Sequence, residues 1–369
     1  MEIIKYENHH NIKWLKDSII FLTKHGSHAY GLNTPTSDLD IKGICVPPGK
    51  YFLGAFDVFE QAEGKNIELN AEYVVYDIRK FIKLAADCNP NIIEVLWTDD
   101  SDIIFNTPEG ALLRAHKKDF LSSKARYTFA GYAMAQLKRI RTHRKWLLNP
   151  PQKPPTREEL GLPPYQEISK ADLDAAIDNI SKKVDQWEIN LDELNYAERI
   201  RVREHINTQL AEMQLSAQRQ FQVAGLSLGY GSNIITILQA EKEYKNKVRE
   251  YEQYLNWKAT RNKDRAALEE KFGLDTKHAS HLVRLLLMCE EILTLGEVIV
   301  KRPDRIKILG IRNGDVSFDE IIDWASEQEK KLDDLYLKTS LPRSCDINKL
   351  NDLCQQIVWI RLKKGERNV

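Results

Sequence analysis

The chain has 369 residues, 29% of them charged, with 54 lysines and arginines balancing 54 aspartates and glutamates. Neutrality excludes a global field that would draw in nucleic acid, so any such binding must come from local basic patches. Five scattered cysteines form no C-x-x-C pair and no apolar run reaches the length of a membrane span, which argues against a zinc ribbon, a disulfide framework or a transmembrane protein. The expectation is a cytoplasmic protein of two or three domains.

Residues 1 to 18 are polar, with Trp14 and Leu15 on one face of an expected entry helix. The apolar run Ile19 to Leu22 then reads as a buried strand ending at the small pair Gly26-Ser27. A glycine-bounded segment, His28 to Gly31, leads into the polar turn Asn33-Thr34-Pro35-Thr36. Ser37-Asp38-Leu39-Asp40 follows and runs into the apolar positions of a second strand. In a strand, Asp38 and Asp40 point to the same face with Cα atoms roughly 6.5 Å apart. Two such carboxylates suit a pair of divalent ions about 3.5–4 Å apart, the spacing used for in-line phosphoryl and nucleotidyl transfer. Oxygen donors select Mg²⁺ or Mn²⁺ over zinc. Gly26 and Ser27, at a turn opening a helix, offer backbone N–H groups and a hydroxyl to a phosphate. Each piece alone also fits a plain loop or a solvated strand, since acid-x-acid triplets arise by chance roughly eight times in such a chain. It is their order and spacing, with Asp38 eleven residues after Ser27, that is unusual.

Val46 to Gly49 breaks the pattern, and aromatic-rich Tyr51 to Phe59 reads as a short strand or loop. Ile67 to Tyr76 has the β-branched and aromatic content of a strand, with Glu68, Asn70, Glu72 and Val74 on one face. Ile78 to Ala86 has helical spacing and ends at Asn89-Pro90-Asn91. Ile92 to Trp97 starts again as helix or strand, and from about Glu109 the chain becomes helical. The long helix expected over Phe120 to Leu148 carries the basic run Lys138, Arg139, Arg141, Arg144 and Lys145 beside Trp146. Such a run suits RNA-backbone contact and base stacking, or equally a solvated helix face. A proline-rich break occupies residues 149 to 164, an extended segment over the surface or between helical units. Ser169 and Asp172 form an expected capping box, and residues 170 to 271 carry long charged helical patterns. Gly225 to Gly231 follows no strand, so it reads as a turn between helices rather than a phosphate loop. Tyr251, Tyr254 and Trp257 are expected on the inward face of the next helix. Asp275 is placed to cap a helix on which Lys277, His281 and Arg284 share one side, and Ser317 with Glu320 caps another.

Gly26-Ser27, Tyr30-Gly31 and Ser37-Asp38-Leu39-Asp40 resemble the signature of the DNA polymerase β-type nucleotidyltransferase superfamily. The longer string SDLDIKGICVPP (Ser37 to Pro48) is similar to its bacterial and phage branch that includes RNA-repair-operon members, as are Tyr76 to Trp97 and Lys277 to Glu297. The resemblance implies an α+β fold: an α/β nucleotidyltransferase core with a short mixed sheet over residues 1 to 108, then a large all-helical acceptor-binding region over residues 109 to 369. It implies a third carboxylate just before the segment YDIRKF, at the position of Glu72, with Glu68 as its rival. Asp38, Asp40 and Glu72 would be the catalytic, metal-holding set for two Mg²⁺ or Mn²⁺ ions. Gly26, Ser27, Tyr30, Ser37, Lys277, His281 and Arg284 would meet the nucleotide, with ATP the expected NTP. NMP transfer to an RNA or tRNA hydroxyl is the implied reaction. The same core also serves transfer to proteins or small molecules, and a non-catalytic RNA-binding protein is a further alternative.

Overall fold

The computed structural model describes residues 12–35, 37–166, 168–186, 217–261 and 263–366. Packing divides the chain into two compact units, Met1–Arg144 with Ala267–Val369, and Lys145–Ala266. The last strand ends at Asn106, and the C-terminal helices group with the sheet while the middle of the chain forms a body of its own.

The first unit is built on a five-stranded mixed sheet, with β1 (Ile19–His25), β2 (Leu39–Cys45), β3 (Gln61–Asn66), β4 (Ala71–Asp77) and β5 (Ile103–Asn106) in the order β3-β4-β2-β1-β5. β1 runs antiparallel to β2 and β5, β3 antiparallel to β4, and β2 parallel to β4. One face of the sheet buries Ile41, Cys45, Ala71, Tyr73 and Val75 with Leu15 and Phe59. The opposite face belongs to the main core, which Ile44 shares with Ile78 and Phe81 of the Ile78–Ala86 helix and Leu282, Leu285 and Leu286 of the Thr276–Leu295 helix. Alternation along β2 therefore turns Asp40 and Lys42 toward the helical face.

Several local expectations meet their structure here. Asp275 accepts from the His278 N–H as an N-cap, and Ser317 and Glu320 form a reciprocal capping box. All five cysteines are free thiols. The expected strand Ile67 to Tyr76 is shorter, because Ile67 to Asn70 is the turn of the β3–β4 hairpin, with Asn70 left-handed at φ 45°. The aromatic stretch from Tyr51 is no strand: Lys50–Leu53 is one helical turn, followed by loop. Ile92 to Trp97 is helical, and the long basic helix spans Ala125–Leu148 rather than starting at Phe120. The entry helix is reduced to Leu15–Ser18 among the described residues. No helix among them is long and apolar enough to cross a membrane.

The second unit packs the helices Lys170–Gln186, Ala217–Ser227 and Ser232–Thr260 around Leu173, Ile180, Phe221, Ala224, Ile235 and Leu238. Of the glycine-rich segment, Gly225 to Ser227 end the second of these helices and only Leu228 to Gly231 form the turn to the third, with Gly229 at φ +85°. The proline-rich stretch is extended apart from one short turn at Glu158–Leu160. There Arg157 forms an ion pair with nearly buried Glu241 at 2.5 Å.

Candidate functional site

The sheet register sets out a polar row across four strands. His25 of β1 lies opposite Asp40 of β2, Asp40 opposite Glu72 of β4, and Glu72 opposite Lys65 of β3. Register partners share a face, so all four side chains start from the helical side of the sheet. Asp38 precedes β2, whose first residue is Leu39, and is exposed. The carboxyl of half-buried Asp40 is raised above its ordinary value, first by burial, then by the negative charges of Asp38 and Glu72, with Lys277 and Lys42 opposing. At Asp40, burial and the like charges of Asp38 and Glu72 together outweigh the two lysines. Glu72 is half exposed and ion-paired to Lys65. Its rival Glu68 lies in the exposed hairpin turn and off the strand, because the left-handed Asn70 ends the turn before β4 begins.

Gly26 abuts the Asp40 carboxylate. Its φ is +62°, and a Cβ there would lie 2.0 Å from the Asp40 Oδ2. Glycine is required twice over, for the left-handed backbone and for the closeness of the approach. The adjoining Ser27 has a buried Oγ with no hydrogen-bond partner among the described residues, as does the His28 Nε2. The loop that follows is anchored from the C-terminal helices. Arg302 donates its backbone N–H to the Tyr30 carbonyl at 3.1 Å, and the Arg312 side chain donates to the Leu32 carbonyl at 3.2 Å. Ser37 closes the polar turn, its Oγ accepting from the Thr34 N–H at 2.9 Å.

Behind this row lies a buried charge cluster that the sequence reading missed. Glu94 is 0% exposed and accepts from Arg284 at 2.8 Å and from the Tyr30 hydroxyl at 2.5 Å. The Arg284 guanidinium stacks over the Tyr30 ring, 3.8 Å from its centroid. His25 sits 3.9 Å from Glu94, and burial, then Lys42 and Arg284, holds its imidazole well below the ordinary value. Lys42, largely buried and donating to the Asn91 carbonyl, is lowered to about 8, by burial above all. Both residues carried a signal. Lys42 continues the Asp38–Asp40 alternation, and Glu94 is a lone acid inside the apolar run IIEVLW.

Among the residues expected to meet the nucleotide, the structure separates two sets. Gly26, Ser27 and Ser37 lie on the turns beside Asp40, and exposed Lys277 acts on its carboxylate. Tyr30 and Arg284 are instead engaged with Glu94 in the core. His281 is pushed down to about 3, chiefly by burial and then by Arg284, His278, Lys277 and Arg139. It is neutral near pH 7, so it offers a ring hydrogen bond rather than a positive charge.

The basic run divides similarly. Lys138, Arg139 and Arg141 are exposed. Arg144 donates to the Gly273 carbonyl at 2.7 Å and stacks on Phe318, and Lys145 pairs with Glu250. Trp146 is 5% exposed and packs against Tyr254 and Trp257, so its ring is core rather than a stacking platform. Arg79, at the head of the next helix, is held by Asp77, the Tyr51 carbonyl and the Phe52 ring.

Residues 1–149 match the family model of the RNA repair pathway DNA polymerase beta family. An uncharacterized 38.9 kDa protein encoded in the nrdC-mobD intergenic region of Enterobacteria phage T4 is 39% identical over 80 residues, covering 20% of this chain. That alignment spans 24% of the length of the phage protein. The polymerase-β-type resemblance carried by the Gly-Ser and Asp-x-Asp motifs is therefore borne out over the N-terminal part of the chain, with its phage and bacterial branch.

Proposed function

We propose that the protein is a metal-dependent nucleotidyltransferase that moves NMP from an NTP, ATP in the first instance, to a hydroxyl of RNA or tRNA and releases pyrophosphate. The observation that carries this reading is the convergence of Asp38, Asp40 and Glu72 charge beside the Gly26-Ser27 turn, on a segment matching the polymerase beta family. An all-oxygen donor set with surplus negative charge fits two Mg²⁺ or Mn²⁺ ions, held by Asp38, Asp40 and Glu72. When bound, such ions neutralise the phosphates and the charge that develops on the attacking and leaving oxygens.

The chain's own groups do the rest. Gly26 keeps the turn close to Asp40, and the Ser27 hydroxyl and Lys277 ammonium bind the β- and γ-phosphates. The acceptor oxygen forms its bond to the α-phosphorus as the bond to the bridging α–β oxygen breaks, and pyrophosphate leaves with that electron pair. Glu72 takes the acceptor proton. Lys138, Arg139 and Arg141 are the part of the basic run open to an RNA backbone, since Arg144 and Lys145 are engaged within the protein.

The test is transfer of label from each α-labelled NTP, with Mg²⁺ or Mn²⁺, into tRNA, other RNA and the protein itself, beside the Asp38→Asn variant. Label in RNA that is absent with the variant is the expected result. Retained activity in folded Asp38→Asn overturns the assignment, and label in protein alone moves the acceptor to a polypeptide.

A further inference from the structure

A second cluster of ligand-type side chains lies in the same unit, away from the carboxylate row. His143 projects from the Ala125–Leu148 helix, while Asp275 caps and His278 opens the Thr276–Leu295 helix. Their ligand atoms all lie within 4.8 Å of one another, the one such group of three among the described residues. Asp275 is buried, and the two histidine side chains are 16% and 18% exposed.

The distances are informative. The Asp275 Oδ2 lies 3.5 Å from His143 Nδ1 and 3.4 Å from His278 Nε2. Asp275 interacts with both imidazoles, through a hydrogen bond from His143 and the charge of His278, at separations beyond the ~2.7–3.2 Å of most N–H···O bonds. Two ligands each ~2.0–2.1 Å from a tetrahedral dication are separated by roughly 3.3–3.4 Å, close to the 3.4 and 3.5 Å between Asp275 and the two imidazoles.

The surroundings orient the ligands. His278 Nδ1 lies 2.7 Å from the Gln136 Oε1, so the amide oxygen takes the Nδ1 proton and turns the Nε2 lone pair toward Asp275. A carboxylate facing Nε2 is matched either by a proton on that nitrogen or by a metal cation between the two. Buried Glu269 donates from its carboxyl to Asp275, which places a second carboxyl group at the same spot. The other Asp275 oxygen already accepts from the His278 backbone N–H at 3.0 Å, which fixes the carboxylate plane.

We propose that His143, Asp275 and His278 bind a zinc-type transition-metal dication that staples the first turn of the Thr276–Leu295 helix to the Ala125–Leu148 helix. Two imidazoles and a carboxylate form a nitrogen–oxygen set suited to Zn²⁺ or Co²⁺ rather than to Mg²⁺. The fourth position falls to Glu269 or to water. The site is structural: it fixes the helix end that carries Lys277 and His281, and takes no part in bond making.

The full-length protein is loaded with Zn²⁺ or Co²⁺, freed of excess metal by gel filtration, and assayed for bound metal and for the visible bands of tetrahedral Co²⁺. About one ion per chain and a tetrahedral Co²⁺ spectrum are expected, with melting temperature raised by Zn²⁺. His143→Ala and His278→Ala lose both signals. Gln136→Ala, which leaves all three ligands in place, weakens affinity on the order of 10–100-fold. Asp40→Asn retains the metal, which separates this site from the carboxylate row and keeps its outcome independent of the transferase reading. If a histidine variant fails to fold, the wild-type Co²⁺ spectrum and the Gln136→Ala affinity decide the matter. Absence of stoichiometric metal and of the Co²⁺ bands in folded wild type overturns the proposal. So does uptake that survives both histidine substitutions or disappears with Asp40→Asn.

Discussion

Two charged clusters in the sheet-bearing unit treat the cost of charge in opposite ways. Glu94 is fully buried, but the Arg284 guanidinium and the Tyr30 hydroxyl satisfy it at hydrogen-bond distance. Asp40, only half buried, faces Asp38 and Glu72, and its carboxyl is raised by burial and by those like charges. The first cluster is a closed account in which each charge has its partner, and such an arrangement holds structure. In the second, burial and like charge outweigh the nearby lysines at Asp40, and the proposed binding of cations and phosphates rests on that imbalance.

Neutralising Asp40 breaks the comparison most sharply. Asp40→Asn is expected to lower NMP transfer on the order of a thousandfold, about 4 kcal/mol of barrier. The same change removes a like charge from the row, so melting temperature stays level or rises slightly. Activity and thermal melting measured on one preparation check both limbs. Equal losses of activity and stability would make Asp40 a structural residue like Glu94.

The opposite result is expected in the closed cluster. Arg284→Met strands an unpaired carboxylate in the core and costs about 3–5 kcal/mol of folding stability by chemical denaturation. Adding Glu94→Gln recovers a large part of that loss, because the uncompensated charge is gone. Failure of the double variant to recover would mean that Arg284 acts mainly through its stacking on Tyr30.

The difference between the clusters also explains what was legible in the sequence. Asp38, Asp40, Gly26 and Ser27 are close in sequence, so spacing and strand alternation suffice to bring them to one place. Caps such as Asp275 and Ser317 are equally local and were read correctly. Glu94 lies 64 positions from Tyr30 and 190 from Arg284, and no periodicity reports which buried acid meets which buried base. The resemblance implies a nucleotide contact for Arg284, whereas its guanidinium is buried against Glu94 and Tyr30 while Lys277 on the same helix stays exposed. The Ile67 to Asn70 error has another cause: β-branched and aromatic content marks a strand but does not locate the hairpin turn that Asn70 makes.

Gly26→Ala probes the open row through the backbone. A left-handed alanine costs roughly 1–2 kcal/mol, and here its Cβ would also press on the Asp40 Oδ2. The expected outcome is a modest drop in melting temperature with a much larger drop in transfer, since the collision displaces the Asp40 carboxylate itself. The Gly26→Ala/Asp40→Ala double variant removes the closest contacts and leaves only the residue-40 Cβ at 3.2 Å, so it should recover part of the stability of Asp40→Ala while leaving activity lost. A double variant as unstable as Gly26→Ala would assign the loss to backbone strain alone.

The smallest effect expected is a pH dependence at His281, which stands between the two clusters. Its imidazole, lowered to about 3 from 6.5 chiefly by burial, stays neutral in the folded protein over a range in which the unfolded chain takes up a proton. The unfolded state therefore binds more protons between these values, so stability is fully present above pH 6.5 and is lost as pH falls toward 3. Replacing His281 with Gln removes the titration and should flatten that acid limb in denaturation measured across the window. Triphosphate bound beside Lys277 would favour the charged ring, so adding nucleotide should raise the His281 value in an NMR titration of wild type. A ring whose titration ignores nucleotide would belong with Glu94 and Arg284 in the closed cluster, leaving Lys277 as the residue of that helix face offered to the phosphates.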